Sequence, residues 1–193
     1  MTRTSGTNAD LDKHLAALLE RVGEVARALR WQQASDTDLT PLQLRIMGFI
    51  ADHPDEGIGV ARLADELQIK RPTISESVTL LVDKGMLLRM ADPRDGRSHA
   101  LRVTAKARRM MRGPAPLDDT MADLAPATKE QLLLGLMHVL HGLSTEGKLQ
   151  VQRMCWTCKH YKGDRKARHA CLLLERKLAI AELRTDCPEH VNS

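Results

Sequence analysis

Four thiols fall within 33 residues: Cys155, Cys158, Cys171 and Cys187, with no other cysteine in the 193-residue chain. Their spacing is Cys-x2-Cys-x12-Cys-x15-Cys-Pro. Thiolates are soft ligands, and four in one short segment can supply the whole coordination shell of a metal centre. A redox pair would need only Cys155 and Cys158, leaving the other two without a role. Two donor sets are open. All four cysteines can hold a [4Fe–4S] cluster, which is larger than one ion, suits widely spaced single ligands and often has a proline after its last cysteine. Alternatively Cys155, Cys158, Cys187 and His190 form Cys-x2-Cys and Cys-x2-His knuckles around one tetrahedral Zn2+, with Cys171 replacing His190 in a four-thiolate version. Trp156 and Tyr161, beside the first pair, are placed to shield a cluster from water. His160 and His169 are near enough to ligate but read as ordinary histidines. His14, His53, His99, His138 and His141 are scattered and receive no role.

A second chemistry lies between Ile69 and Thr104. A basic helical run is followed by two strand-like runs around Asp92-Pro93-Arg94-Asp95-Gly96-Arg97. Arg71, Pro72, Thr73, Ser75, Glu76 and Thr79 are placed to meet base edges or phosphates in a major groove. Arg94 and Arg97 can reach a minor groove, whose narrow form attracts arginine, with Asp92 and Asp95 orienting them. Charge agrees. Residues 62–112 hold 12 Lys+Arg against 6 Asp+Glu, and residues 151–193 hold 9 against 5, while the whole chain is only +4. Such concentrated positive charge points to an anionic partner, most simply double-stranded DNA.

These side chains need a frame. Residues 10–33 place Leu11, Leu15, Leu18, Leu19, Val22, Val25 and Leu29 at helical spacing. Thr40-Pro41 opens a second helix that stops before His53-Pro54. Residues 60–67 and 70–83 form a helix-turn-helix about Gln68-Ile69-Lys70, with Ile74, Val78, Leu81 and Val82 facing inward. Residues 86–90 and 99–103 are two strands. Thr104 caps a helix to Met111, which Gly113-Pro114-Ala115-Pro116 must break. Helical spacing returns at 117–124 and 126–143, and 144–148 is a linker. The predicted fold is mainly α with a small β-wing: a dimerisation helix in 1–36, a winged helix-turn-helix in 37–112, further dimerisation helices in 113–147 and a cysteine-rich metal-binding extension in 148–193.

This layout resembles the multiple-antibiotic-resistance regulator (MarR) family of bacterial transcription factors. The likeness rests on Leu39-Thr40-Pro41-Leu42-Gln43, Leu63-Ala64, Pro72-Thr73-Ile74-Ser75, Leu81-Val82-Asp83-Lys84-Gly85-Met86, Asp92, Asp95-Gly96-Arg97 and Leu101-Arg102-Val103-Thr104. It covers roughly residues 10–145 and departs at Ala105-Lys106-Ala107, where the family usually has a glycine after the threonine. The resemblance implies a homodimer held by its first and last helices, reading a pseudo-palindromic operator and mostly acting as a repressor. Arg97 would be the wing-tip arginine and Asp95 its orienting partner. Release by a small-molecule or redox effector is also implied, and the alternative to a cluster-controlled regulator is one that senses a small aromatic ligand, with structural zinc in the tail. The start lacks a signal-like apolar run, and no run nears the ~18 residues of a membrane span. The expectation is a cytoplasmic protein with reduced thiols. With no Gly-x-Gly cofactor loop and no nucleophile–base pair, an enzyme is not expected.

Overall fold

The computed structural model describes residues 8–54, 56–92, 95–112, 116–149 and 153–193, with backbone alone for 92 and 95–98. Seven helices appear in it: α1 (Asn8–Ser35), α2 (Pro41–Asp52), α3 (Val60–Leu67), α4 (Arg71–Asp83), α5 (Ala105–Met111), α6 (Pro116–Ala122) and α7 (Pro126–Thr145). Five strands follow two themes. β1 (Leu87–Asp92) and β2 (Asp95–Val103) make an antiparallel hairpin, and β3 (Tyr161–Gly163), β4 (His169–Cys171) and β5 (Arg176–Leu178) make a three-stranded meander.

Local chemistry sets the boundaries. At the start of α2, Thr40 Oγ1 accepts from the Gln43 backbone N–H at 3.2 Å while the Thr40 N–H donates to Gln43 Oε1 at 2.9 Å. That is a reciprocal capping box, with Pro41 supplying a pre-set φ. α3 ends on Gln68 at φ 53, and the Ile69 N–H reaches Ala64 O at 3.0 Å. A left-handed residue that is not glycine costs ~1–2 kcal/mol, so the tight turn into α4 is bought by packing. α4 ends in the same motif with the usual residue: Gly85 has φ +68, and the Met86 N–H donates to Leu81 O at 2.8 Å. Thr104 caps α5 by accepting from the Ala107 N–H at 3.1 Å.

The main core joins α2, α3, α4 and the hairpin. Ile46, Met47, Leu63, Ile74, Val78, Leu81 and Leu87 are wholly buried in it. Each contributes about 1.5–3 kcal/mol relative to exposure. Ile74, Val78 and Leu81 are the inward face expected of α4; Val82 is half-buried and packs against the same core. Leu87 pairs with Val103 and Ala91 with His99; β1 begins one residue later than expected, and both strands run further toward the turn, to Asp92 and from Asp95. A single further bond, Leu101 N–H to Ile58 O at 2.8 Å, ties the hairpin to the segment before α3. The turn residues Pro93 and Arg94, and the expected break at 113–115, lie outside the described residues.

α1 buries little. Leu11, Leu15, Leu18, Val22 and Val25 are 44–60% exposed along one helix. α7 runs to Thr145, into the expected linker, and buries Met137 in a second cluster with Met154, Trp156 and Leu183. The tail is therefore packed onto α7 through its own small core.

Candidate nucleic-acid interface and thiol site

The outer face of α4 carries the expected groups. Arg71, Pro72, Thr73, Ser75, Glu76 and Thr79 are all exposed, while Ile74 and Val78 hold the opposite face in the core. The periodicity that buries one side thus presents the other as a rigid, polar ridge. Thr79 is less free than the sequence implied. Its hydroxyl donates to Ser75 O at 3.0 Å and accepts from Arg89 Nη2 at 3.0 Å. Arg89, on β1, went unremarked in the sequence because nothing local marks it. The fold sets it beside α4, adding a cation to the ridge. Arg94 lies outside the described residues, as do the side chains of Asp92, Asp95 and Arg97.

The four cysteines are brought together. Cys155, Cys158, Cys171 and Cys187 line one cavity of about 320 Å³, counting its mouth, with His160, Tyr161, Ala170, Leu173, Leu178 and Glu189. All four are free and partly buried. Each comes from a different piece of local structure: Cys155 opens a 3-10 turn (Cys155–Thr157), Cys158 follows it, Cys171 ends β4, and Cys187 stands beside Arg153. Burial pushes the Cys155 thiol up, the Arg184 N–H to its Sγ at 3.3 Å opposes this, and repulsion from Cys187, Cys158 and Cys171 adds to it. Cys187 is likewise pushed up by burial. Thiols that repel one another as anions want a cation among them. Among the described residues, no three His, Cys, Asp or Glu side chains stand close enough to share a single ion. Beside the thiols, the lining combines Ala170, Leu173 and Leu178 with His160, Tyr161 and Glu189.

The neighbouring residues divide differently from the sequence expectation. Tyr161 does line the cavity, and its hydroxyl meets His169 Nδ1 at 2.8 Å. Trp156 does not. It is 3% exposed, faces α7 and packs on His138 with ring centroids 4.6 Å apart. It fastens the tail rather than shielding the thiols. His160 lines the cavity, whereas His190 does not and instead holds the Thr157 hydroxyl through Nε2 at 2.9 Å. Gly163 is required by space, since a Cβ there would stand 2.1 Å from Arg168 O. His53, to which the sequence assigned nothing, is 4% exposed and meets Asp186 Oδ2 through Nε2 at 2.8 Å.

Known proteins share this winged helix. Residues 37–98 match the model of the MarR family. That segment resembles the MarR-family winged helix. Transcriptional regulator HosA of Escherichia coli O111:H- is 29% identical over 92 residues, which are 48% of this chain and 66% of that protein. The chain thus spans just under two thirds of this curated relative's length. The MarR fold extends further in space than the matched segment. S. aureus MepR in its DNA-binding conformation superimposes with a TM-score of 0.58 at 22% identity, covering 67% of this chain and 98% of that one. The S. aureus MepR–DNA complex gives 0.52 at 22%, covering 67% and 97%. BldR from Sulfolobus solfataricus gives 0.52 at 19%, covering 70% and 99%. At such identities the likeness speaks for the fold. Nearly the whole of each MarR-type structure is accounted for by about two thirds of this chain, so the remaining third is additional to them. Between α1, α2, α5 and α6 this part of the chain also has an open cleft of about 1510 Å³, counting its mouth, lined by Leu29, Arg30, Gln33, Leu44, Met110 and Leu117 among others.

Proposed function

We propose that the protein is a dimeric, sequence-specific DNA-binding regulator of transcription, acting as a repressor and not as an enzyme, whose grip on DNA is set by a metal centre on its four thiols. The observation that carries the DNA reading is the exposed polar ridge of α4 beside the β1–β2 hairpin, in a segment that matches the MarR family. The MepR–DNA complex supports duplex DNA as the partner. The exposed apolar row on α1 supports a second copy as the other partner, since Leu11, Leu15, Leu18, Val22 and Val25 are 44–60% exposed among the described residues of one chain. Two α4 ridges related by a two-fold axis would read a pseudo-palindrome.

For the thiols, a [4Fe–4S] cluster is the better occupant. Zinc at ~2.3 Å from each sulfur needs thiolates only about 3.8 Å apart. The four thiols ring one cavity, and among the described residues no three donors are grouped for a single ion, which supports the larger centre. A cluster would bring the ability to gain or lose an electron, or to come apart on oxidation. The second reading keeps the regulator but gives sensing to a small aromatic ligand, with zinc fastening the tail; the open cleft lined by Leu29, Leu44 and Met110 favours it.

The test has two arms. Selection of bound duplexes from a random pool, followed by anisotropy against a scrambled duplex, should give a specific site bound about a thousandfold tighter or more. No enrichment, and no salt-dependent binding, would sink the DNA reading. Anaerobic purification should give brown protein with iron and sulfide, and oxidation or chelation should shift its DNA affinity. Colourless protein holding zinc, with unchanged affinity after chelation, would favour the second reading.

A further inference from the structure

The thiol site and the winged helix are joined by a seam of partly buried charge. Arg153 and Asp186 pair as a parallel bridge, the Cys187 N–H donates to Arg153 O at 3.0 Å, and the Cys155 N–H donates to Arg184 O at 2.9 Å. Two of the four thiols therefore hang from two adjoining backbone segments. From the same segments three charged side chains leave in the direction of the winged helix. Asp186 takes His53 Nε2 at 2.8 Å, just past the end of α2. Arg153 Nε contacts Glu66 Oε1 on α3, and Arg184 lies 3.8 Å from Glu56. Arg62 on α3 closes the group, 2.6 Å from Glu56 and 3.8 Å from Glu66.

The network is sheltered on the winged-helix side and more open on the tail side. The side chains of Glu66, Glu56 and Arg62 are only 11%, 13% and 18% exposed, against 28%, 40% and 45% for Arg153, Asp186 and Arg184, and His53 is held from behind by Phe49 O at 2.7 Å. Arg62 Nε, Glu66 Oε1 and Arg153 Nε are within ion-pair reach yet make no well-directed hydrogen bond. Such a group is sensitive to small displacements, because its charges are desolvated and only partly satisfied. It also sits on the first helix of the helix-turn-helix, which packs directly against α4.

We infer that this seam is the joint through which the thiol site controls the winged helix. Drawing Cys155 and Cys187 onto a shared centre moves segments 153–155 and 184–187, and Arg153, Arg184 and Asp186 carry that movement to α3 and the end of α2. The inference rests on the metal-centre reading for its biological direction, but the mechanical link does not need it. Coupling is reciprocal, so a change on α3 must also be felt at the thiols.

Glu66→Gln provides the test, since Glu66 lies on the winged helix and far along the chain from every cysteine. In metal-free, reduced full-length protein, iodoacetamide labelling of each cysteine is followed by mass spectrometry. Losing one partner of a buried ion group should raise labelling of Cys155 and Cys187 about tenfold, with Cys171 on its hairpin much less affected. Glu66→Asp, which keeps the charge and shortens the reach, should give an intermediate rate; it takes over if Glu66→Gln does not fold. In the second arm, supplying ferrous iron and sulfide anaerobically should slow hydrogen exchange of residues 56–67 in the parent protein and not in Glu66→Gln. Unchanged labelling in a folded variant would overturn the joint, even if the protein takes up metal. Faster labelling in a protein that takes up no metal would keep the joint and sink the metal reading instead.

Discussion

Trp156 offers a prediction with two opposed halves. Its indole is 3% exposed, packed on His138 and Met137 of α7, and its Nε1 has no hydrogen-bond partner among the described residues. A buried tryptophan covers roughly 150–250 Å², worth about 4–6 kcal/mol at ~25 cal/mol per Å². Allowing for residual burial in the unfolded chain leaves about 3–5 kcal/mol, which is the expected cost of Trp156→Ala to docking of the tail. Trp156→Phe should behave differently. It gives up the smaller ring, costing about 1 kcal/mol, but removes a buried unpaired N–H that itself costs about 1–3 kcal/mol. The net change runs from about zero to about 2 kcal/mol in favour of the phenylalanine variant. Native-state hydrogen exchange at fixed protein concentration reads both: tail amides in 154–187 should exchange a hundredfold or more faster in the alanine variant, and at about the parent rate or up to roughly thirtyfold slower in the phenylalanine variant. A phenylalanine variant as fast as alanine would show that the indole N–H is satisfied. An alanine variant near the parent would show that Trp156 does not hold the tail at all.

Arg89→Ala should weaken duplex binding about equally across sequences and lower the slope of log affinity against log salt by about one, because Arg89 sets a cation beside Thr79 on the proposed DNA-reading face of α4; an unchanged slope in a salt titration would remove it from the interface. Gly163→Ala should cost roughly 3 kcal/mol or more, since its Cβ would strike Arg168 O and the Tyr161 hydroxyl. Exchange in residues 161–171 should rise sharply while helices α2–α4 stay protected, and a variant with parent-like protection throughout would contradict the packing. Asp164 accepts from the backbone N–H groups of Lys166, Ala167 and Arg168 and from Arg168 Nε, which hold its carboxyl far below the usual carboxylate range. With the folded value depressed, its contribution is complete above the ordinary carboxylate range and lost only as pH falls through the folded value. Its carboxyl resonance should accordingly stay that of an ionised group at about pH 3, and a midpoint near the model-peptide value of ~3.9 would refute those bonds.

The helices were legible because each is written in consecutive residues. Thr40-Pro41, Gly85 and Thr104 announce boundaries through caps whose partners lie three to five positions away, and burial of Ile74 and Val78 follows from period alone. The thiol site was half legible. Cysteine count and spacing gave the ligand types, but their convergence on one cavity depends on the three short strands and on the pairing of Arg153 with Asp186. What escaped was every contact made across long stretches of chain. His53 finds Asp186 133 positions away, Arg89 reaches Thr79 from a strand to a helix, and Trp156 chose α7 over the thiols. Such pairings are decided by tertiary packing, and no local pattern encodes them.

The tail closes on itself. Its first residues pair with its last: Arg153 with Asp186, Cys158 with Asn192, and the Ser193 N–H with Thr157 O at 3.1 Å. A unit whose two ends meet can be grafted after a helix without rethreading anything upstream. Its core, however, is shared with α7 through Met137 and His138. Moving residues 126–193 as one piece onto an unrelated winged helix should therefore transplant the thiol cavity, leaving control of DNA binding behind with His53, Glu56 and Glu66.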